Sequence, residues 1–296
     1  MEDVAPKLYS QIRKLFDSAV GNDSQLKRVE NRIRDGTATQ KDVLLYSQRL
    51  GKHASDACKT VLVPENLPDG ILYYNIGERT VKRLIQENEA DILTKASKQN
   101  AAMNKAEGVG LKAKKPKRDR AESLVSAMCN DEADAETVAR LLGEPLITVH
   151  ATVVDDFLQT NAEIAYQAGL EPVIIREYDG VGLHDGKDAC QWCLSRAGRW
   201  SYGEAYDRGV FERHSGCGCT TTYVYGNFSQ DVWSKASWET DNKEARKEAI
   251  QEKQAEMLRN TKRKSETRTV REKFIREQMN GGKTFSDAWA AYEKRR

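Results

Sequence analysis

Between residues 190 and 219 the chain places four of its six cysteines and one of its four histidines. Cys190 and Cys193 form a CxxC in "DACQWCL", and after twenty intervening residues His214, Cys217 and Cys219 follow as HxxCxC in "RHSGCGC". A CxxC lets two thiolates grip one tetrahedral ion from a tight turn, and Cys/His sets of this kind are the donors of zinc sites. Structural zinc takes four donors, so one of these five is spare. Cys190, Cys193 and His214 are taken first. Cys217 and Cys219, two apart, face the same side of a strand, so either completes the set while the other packs beside it. The Gly216 to Gly218 turn tips the choice slightly toward Cys219.

A catalytic zinc needs an open position and a nearby base. A nucleobase deaminase carries HxE and a proline ahead of its CxxC, whereas "GLHDGKDACQWC" offers His184, then Asp185, and Ala189 before Cys190. An HNH-type nuclease needs further histidines, and His184 is the one candidate near the cluster. A redox CxxC opens a helix after a strand and does not share its surroundings with further ligands. The zinc is therefore expected to be structural and the protein not an enzyme, with His184 and Asp185 as turn residues of a glycine-rich loop. The alternative is a zinc-dependent nuclease or other DNA-processing enzyme using His184 or Asp185. Cys58 and Cys129 stand alone in helical segments and read as small buried side chains. His53 and His150 have no acidic or thiol neighbour in sequence and default to ordinary surface or core positions.

Composition sets the context. The 296 residues hold 47 Lys and Arg against 45 Asp and Glu, a net charge of +2, with 39% hydrophobic and 31% charged residues. A mean hydropathy of −0.71 implies that part of the chain lies outside any core. The start, "MEDVAPKLYSQIRKLF", has no basic region followed by an apolar one, and no later stretch reaches the length of a membrane span. Synthesis in a reducing cytoplasm is expected, where paired cysteines bind metal in preference to forming disulfides.

The elements that must carry the cluster follow from periodicity. Leu8, Ile12, Leu15 and Phe16 after Pro6 make an amphipathic helix. Thr39 and Asp42 resemble a capping pair opening a second, with Val43, Leu44, Tyr46 and Leu50. "VPENLPDG" is a loop or boundary. A long helix starts near Gly77 with Val81, Leu84, Ile85 and Ile92, and runs into "NKAEGVGLKAKKPKRDR", which reads as a mobile basic loop. Residues 135–142 and 147–168 are two further helices, the second closed by Gly169. "EPVIIREYDG" and "CTTTYVYG" are strands bracketing the cluster. Trp192, Trp200, Tyr202, Tyr206 and Phe211 read as the small core of a zinc module and not as a base-stacking platform. The fold class is α+β, predominantly α-helical, with a small zinc-stapled β element and a long charged C-terminal helical tail. Residues 1–75 form an N-terminal helical region, 76–228 a domain holding the zinc module at about 171–228, and 229–296 the tail.

The order of these features resembles the phage Mu protein F-like family of minor head proteins: "TNAEIAYQAGLEPVIIREYDG", "DACQWC", an aromatic spacer, then "HSGCGC" leading into a strand. The likeness covers about residues 76 to 228. Ser215 and Gly218 stand where members carry other residues, and "LQTNAEI" replaces the usual Arg-Thr-Glu, marking a divergent member. It implies that Cys190, Cys193, His214, Cys217 and Cys219 match the family's metal ligands. It also implies a virion component made in the host bacterial cytoplasm, at or near the portal vertex, which acts in head morphogenesis, DNA packaging or delivery through portal or major capsid protein. The tail suits docking: Ile250, Met257 and Leu258, then Val270, Phe274 and Ile275, form thin stripes, and Phe285, Trp289 and Tyr292 make a partner-binding anchor or a self-packed hairpin. Two basic runs, Lys112 to Arg120 and Arg259 to Lys264 with Arg268 and Arg271, suit non-specific contact with DNA phosphates. Interleaved glutamates weaken the second.

Overall fold

The computed structural model describes residues 3–117, 119–130, 133–178, 190–225, 273–279, 281 and 284–295. The chain divides into two compact units, Met1–Phe228 and Ser229–Arg296.

The first unit is mostly helical. In α1, Ala5–Asn22, Leu8, Ile12 and Phe16 are buried, while Leu15 lies at the edge of that arc and is 41% exposed. Next comes α2, Ser24–Arg34, which hydropathy does not announce. Its start is fixed by Asp23, whose carboxylate accepts the N–H groups of Gln25 and Leu26. In α3, Gln40–Val61, Thr39 and Asp42 form the reciprocal capping box that their spacing indicates. After two short turns at Pro64–Asn66 and Pro68–Gly70, helix α4, Tyr74–Gly77, passes through one π-helical turn, Glu78–Lys82, into α5, Arg83–Ala106.

Three helices complete the bundle: α6, Arg120–Met128, α7, Ala135–Leu141, and α8, Glu144–Gln167. The helical segment expected around Cys129 is α6, with Cys129 at its C-terminal end. Buried through most of its length, α8 crosses α3 at Gly51, where an added Cβ would stand 3.0 Å from the Ile147 Cα and 3.1 Å from the His150 Cβ. Only a bare Cα permits that approach. Gly169, at φ +81°, closes α8 as expected.

The segment between α5 and α6 is not the mobile loop expected from its composition. Asn104 donates to the Leu111 carbonyl, and Asn161 bonds both the N–H and the carbonyl of Lys114. A chain fastened through its backbone groups stays ordered whatever its side chains.

The sheet has three antiparallel strands in the order β2-β1-β3, one more than the two expected. They are β1, Pro172–Tyr178, β2, Gly198–Ser201, and β3, Cys219–Tyr225. Ile174 opposes Tyr223, Arg176 opposes Thr221 and Tyr178 opposes Cys219. Those alternate residues face inward: Ile174 and Tyr223 belong to the main core, which runs back to Leu8, and Arg176 and Thr221 are buried with them. On β3, Gln40 of α3 bonds both backbone groups of Tyr223 through its amide, at 2.7 and 3.0 Å. Among the described residues, two short helices lie between β1 and β3: α9, Gln191–Leu194, and α10, Tyr202–Asp207. Tyr202 and Phe211 join the main core and do not form a separate one.

In the second unit the described residues give α11, 273–279, and α12, Phe285–Glu293. Ile275, Ala288 and Trp289 are buried together and Phe274 meets Tyr292 ring to ring, so these faces follow the hairpin alternative. The stripe residues Ile250, Met257, Leu258 and Val270, the second basic run, and the side chain of Phe285 lie outside the described residues. No helix among the described residues is long and apolar enough to cross a membrane.

Candidate metal centre

Two turns and the start of a strand carry the cluster. Cys190 precedes α9, and its Sγ accepts the backbone N–H of Cys193 at 3.4 Å. That bond curls the CxxC so that both thiols face one side. The second turn begins at His214, whose carbonyl accepts the Cys217 N–H at 3.1 Å; Gly216 supplies the left-handed conformation there, at φ +74°. Cys219 opens β3.

These segments bring all five sequence candidates together. The donor atoms of Cys190, Cys193 and His214 lie within 4.8 Å of one another, as do those of Cys193, Cys217 and Cys219. The His214 Nε2 stands 3.3 Å from the Cys190 Sγ and 3.0 Å from the Cys193 Sγ, and the Cys193 and Cys217 sulfurs are 3.6 Å apart. Metal–sulfur bonds of about 2.3 Å and metal–nitrogen bonds of about 2.0 Å make the edges of a tetrahedral site about 3.5 to 3.8 Å. The observed separations are of that size, slightly contracted. His214 is oriented for ligation: its Nδ1–H donates to the Ser215 carbonyl at 2.7 Å, which leaves the Nε2 lone pair facing the thiols. The cluster can hold a metal ion.

Around it sits an outer layer of arginine, of which Arg213 left no signal in the spacing. Arg213 is fully buried and forks onto Asp155 of α8, at 2.7 and 3.1 Å, while its Nη1 donates to the carbonyls of Cys217 and Cys219 at 3.0 and 2.8 Å. Burial works against its charge, but Asp155 and the neighbouring sulfurs outweigh that and hold it protonated. Arg176, inward-facing on β1, donates to the carbonyls of Val210 and Glu212 and, at 3.3 Å, to the Cys217 Sγ. Trp192 has Arg176 on its ring at 5.2 Å and Arg196 at 4.1 Å, and meets His214 edge-on. Thr148 of α8 accepts the Gly216 N–H at 3.0 Å.

The thiols differ accordingly. Hydrogen bonds to Cys193 and Cys219, then Arg213 and Arg176, pull Cys217 well below the ordinary thiol range despite its burial. Cys193 is pushed up by its contacts with Cys217 and Cys219 and by burial. For Cys219 the bond to Cys193 acts downward, but contact with Cys217 and burial leave it raised. Away from the cluster, burial pushes the Cys58 thiol up to about 12 and Cys129 to about 11, as inert packing residues. Of the surface or core positions expected for the two other described histidines, His150 takes the core, and His53, with no acidic neighbour in sequence, bonds Asp23 at 2.7 Å, a pairing across helices that sequence distance hides. His184 and Asp185 lie outside the described residues.

Comparison of the chain with protein-family models, curated proteins and solved structures gives no match in any of the three.

Proposed function

We propose that Cys190, Cys193, His214 and Cys217 hold one structural zinc ion, and that the chain is a non-enzymatic minor head protein of a tailed bacteriophage. It resembles the Mu F-like kind and acts in head morphogenesis at or near the portal. The reading rests on one observation: the CxxC and HxxCxC donors, in the order of that family's signature, gather into two triads that share Cys193, at the start of strand β3.

The charge around the sulfurs favours Cys217 as the fourth ligand over Cys219. Zinc with three thiolates and a neutral imidazole carries one net negative charge, and Arg176 donates to the Cys217 sulfur. Arg213 is already matched by Asp155, and Arg176 has no carboxylate partner among the described residues. A buried guanidinium next to the ligand sulfur then meets the charge that the ion and its thiolates leave over. Cys219 stays as a neutral packed thiol. The ion contributes stability by tying α9 to the turn before β3, on the order of 10 kcal/mol in small zinc modules.

The metal arm is tested by elemental analysis of protein purified under reducing conditions without added zinc, wild type beside Cys190→Ser and Cys219→Ser. One zinc per chain is expected in wild type and in Cys219→Ser, and its loss in Cys190→Ser. Zinc lost from Cys219→Ser but kept by Cys217→Ser would reverse the ligand assignment. The assembly arm is tested by coexpression with the portal and major capsid proteins of the same phage genome, with copurification expected; a chain that joins neither is not a head protein of this kind.

A further inference from the structure

Residues 111–117 carry Lys112, Lys114, Lys115 and Lys117, all exposed. The backbone there is fastened from several directions. Asn104 of α5 holds the Leu111 carbonyl at 2.8 Å, and the amide of Asn161 on α8 bonds the N–H and carbonyl of Lys114 at 2.8 and 2.9 Å. A few residues on, Arg120 forks onto Asp156 of α8 with two bonds of 2.8 Å. Asn161 is 4% exposed and gives a further bond to the Phe157 carbonyl. Ala113 packs against the core, so the segment cannot roll over and its lysines stay outward.

Their charge is left bare. Elsewhere on this unit several surface lysines are matched, Lys41 by Glu177, Lys52 by Asp56, Lys82 by Glu122 and Lys95 by Asp91, and unmatched ones such as Lys7, Lys14, Lys27 and Lys98 are spread over different helices. Among the described residues none of the four ridge lysines has a carboxylate partner. The flanking Asp119 is engaged in capping α6. Four fixed ammonium groups in a row repel one another and complement a row of anions. From Lys112 to Lys117 an extended chain spans about 17 Å. One strand of a DNA duplex offers a phosphate about every 3.4 Å of axis, about five over that length.

We infer that this pinned lysine ridge is a docking surface for the phosphate backbone of double-stranded DNA, engaged without regard to sequence. The run has no aromatic side chain on which unpaired bases could stack and no Asn or Gln to read base edges, and its Arg120 is taken up by Asp156. It also presents none of the Trp or Tyr anchors that mark the centre of a protein interface. Because its backbone is already ordered, binding costs little further conformational entropy. The inference is independent of the metal and of the head-protein reading.

Fluorescence anisotropy of the full metal-loaded chain with a mixed-sequence duplex of about 20 base pairs, titrated over salt, tests it. The ridge variant K112Q/K114Q/K115Q/K117Q is compared with K7Q/K14Q/K27Q/K98Q, which removes equal charge from exposed, unmatched lysines elsewhere. The ridge variant is expected to bind about tenfold or more weakly at low salt and to lose about three to four from the slope of log K against log salt, while the control variant binds like wild type. Asn161→Ala, checked for its melting temperature, keeps every charge but releases the ridge, and an intermediate loss is expected. Equal effects of the two quadruple variants, no duplex binding, or preference for single strands or polyglutamate would each overturn the inference.

Discussion

At Arg213 one side chain bridges two parts of the molecule. Its fork meets Asp155 of α8, and its remaining nitrogen holds two carbonyls of the turn that carries the metal donors. Lysine keeps the charge and loses the planar geometry. Arg213→Lys is therefore expected to lower metal affinity by about 10- to 100-fold, measured by competition with a chromophoric chelator, with helical circular dichroism retained. The five donors themselves were legible because ligand spacing is local. Arg213 and Thr148 were not, since their partners lie 58 and 68 residues away. Arg176 did leave a trace: Pro172, Ile174 and Arg176 alternate, which puts a guanidinium in the inward row of a strand.

At the level of elements, α3, α5 and α8 meet around His150. Its Nδ1–H donates to the Leu146 carbonyl at 2.9 Å and its Nε2 accepts from Asn88 at 3.0 Å, so the ring is neutral. Burial pushes its pKa down to about 4, opposed in part by the Leu146 carbonyl. The unfolded ring takes a proton below about pH 6.5, and the folded one waits until about 4. In that window unfolding takes up a proton, so stability falls as pH falls. Between pH 7 and pH 5 a loss of about 2 kcal/mol is expected from this group. Urea unfolding at both pH values, wild type against His150→Gln, isolates it, because protonation of the metal ligands is common to both proteins.

The elements that periodicity found, α1, α3, α5, α8, β1 and β3, carry clear apolar faces or caps. Those it did not delimit are short or sparsely apolar. In α2 three apolar residues, Leu26, Val29 and Ile33, stand among charges, and the four residues of β2 have no pattern of their own and are a strand because β1 pairs with them. The helical segment around Cys129 was read without its start, because α6 follows directly on a lysine-rich run.

Across the whole molecule, the large unit has one continuous apolar core reaching from Leu8 to Tyr223, and the buried thiols of Cys193, Cys217 and Cys219 form a satellite cluster beside it. Chelation should thus act locally. Hydrogen exchange read by mass spectrometry is expected to show protection lost over 190–201 and 212–219 on metal removal and kept in α3, α5 and α8. Loss in those helices too would make the ion a determinant of the entire unit.

The contact between Gln40 and Tyr223 bears on solubility as well as on folding. β3 is an edge strand, and the backbone groups of Tyr223 that point away from β1 are where a strand from another molecule would add. The Gln40 amide occupies both, and the opposite edge is the four-residue β2, a short template. Even where many copies crowd together, one route to runaway sheet growth is thereby closed from within the chain.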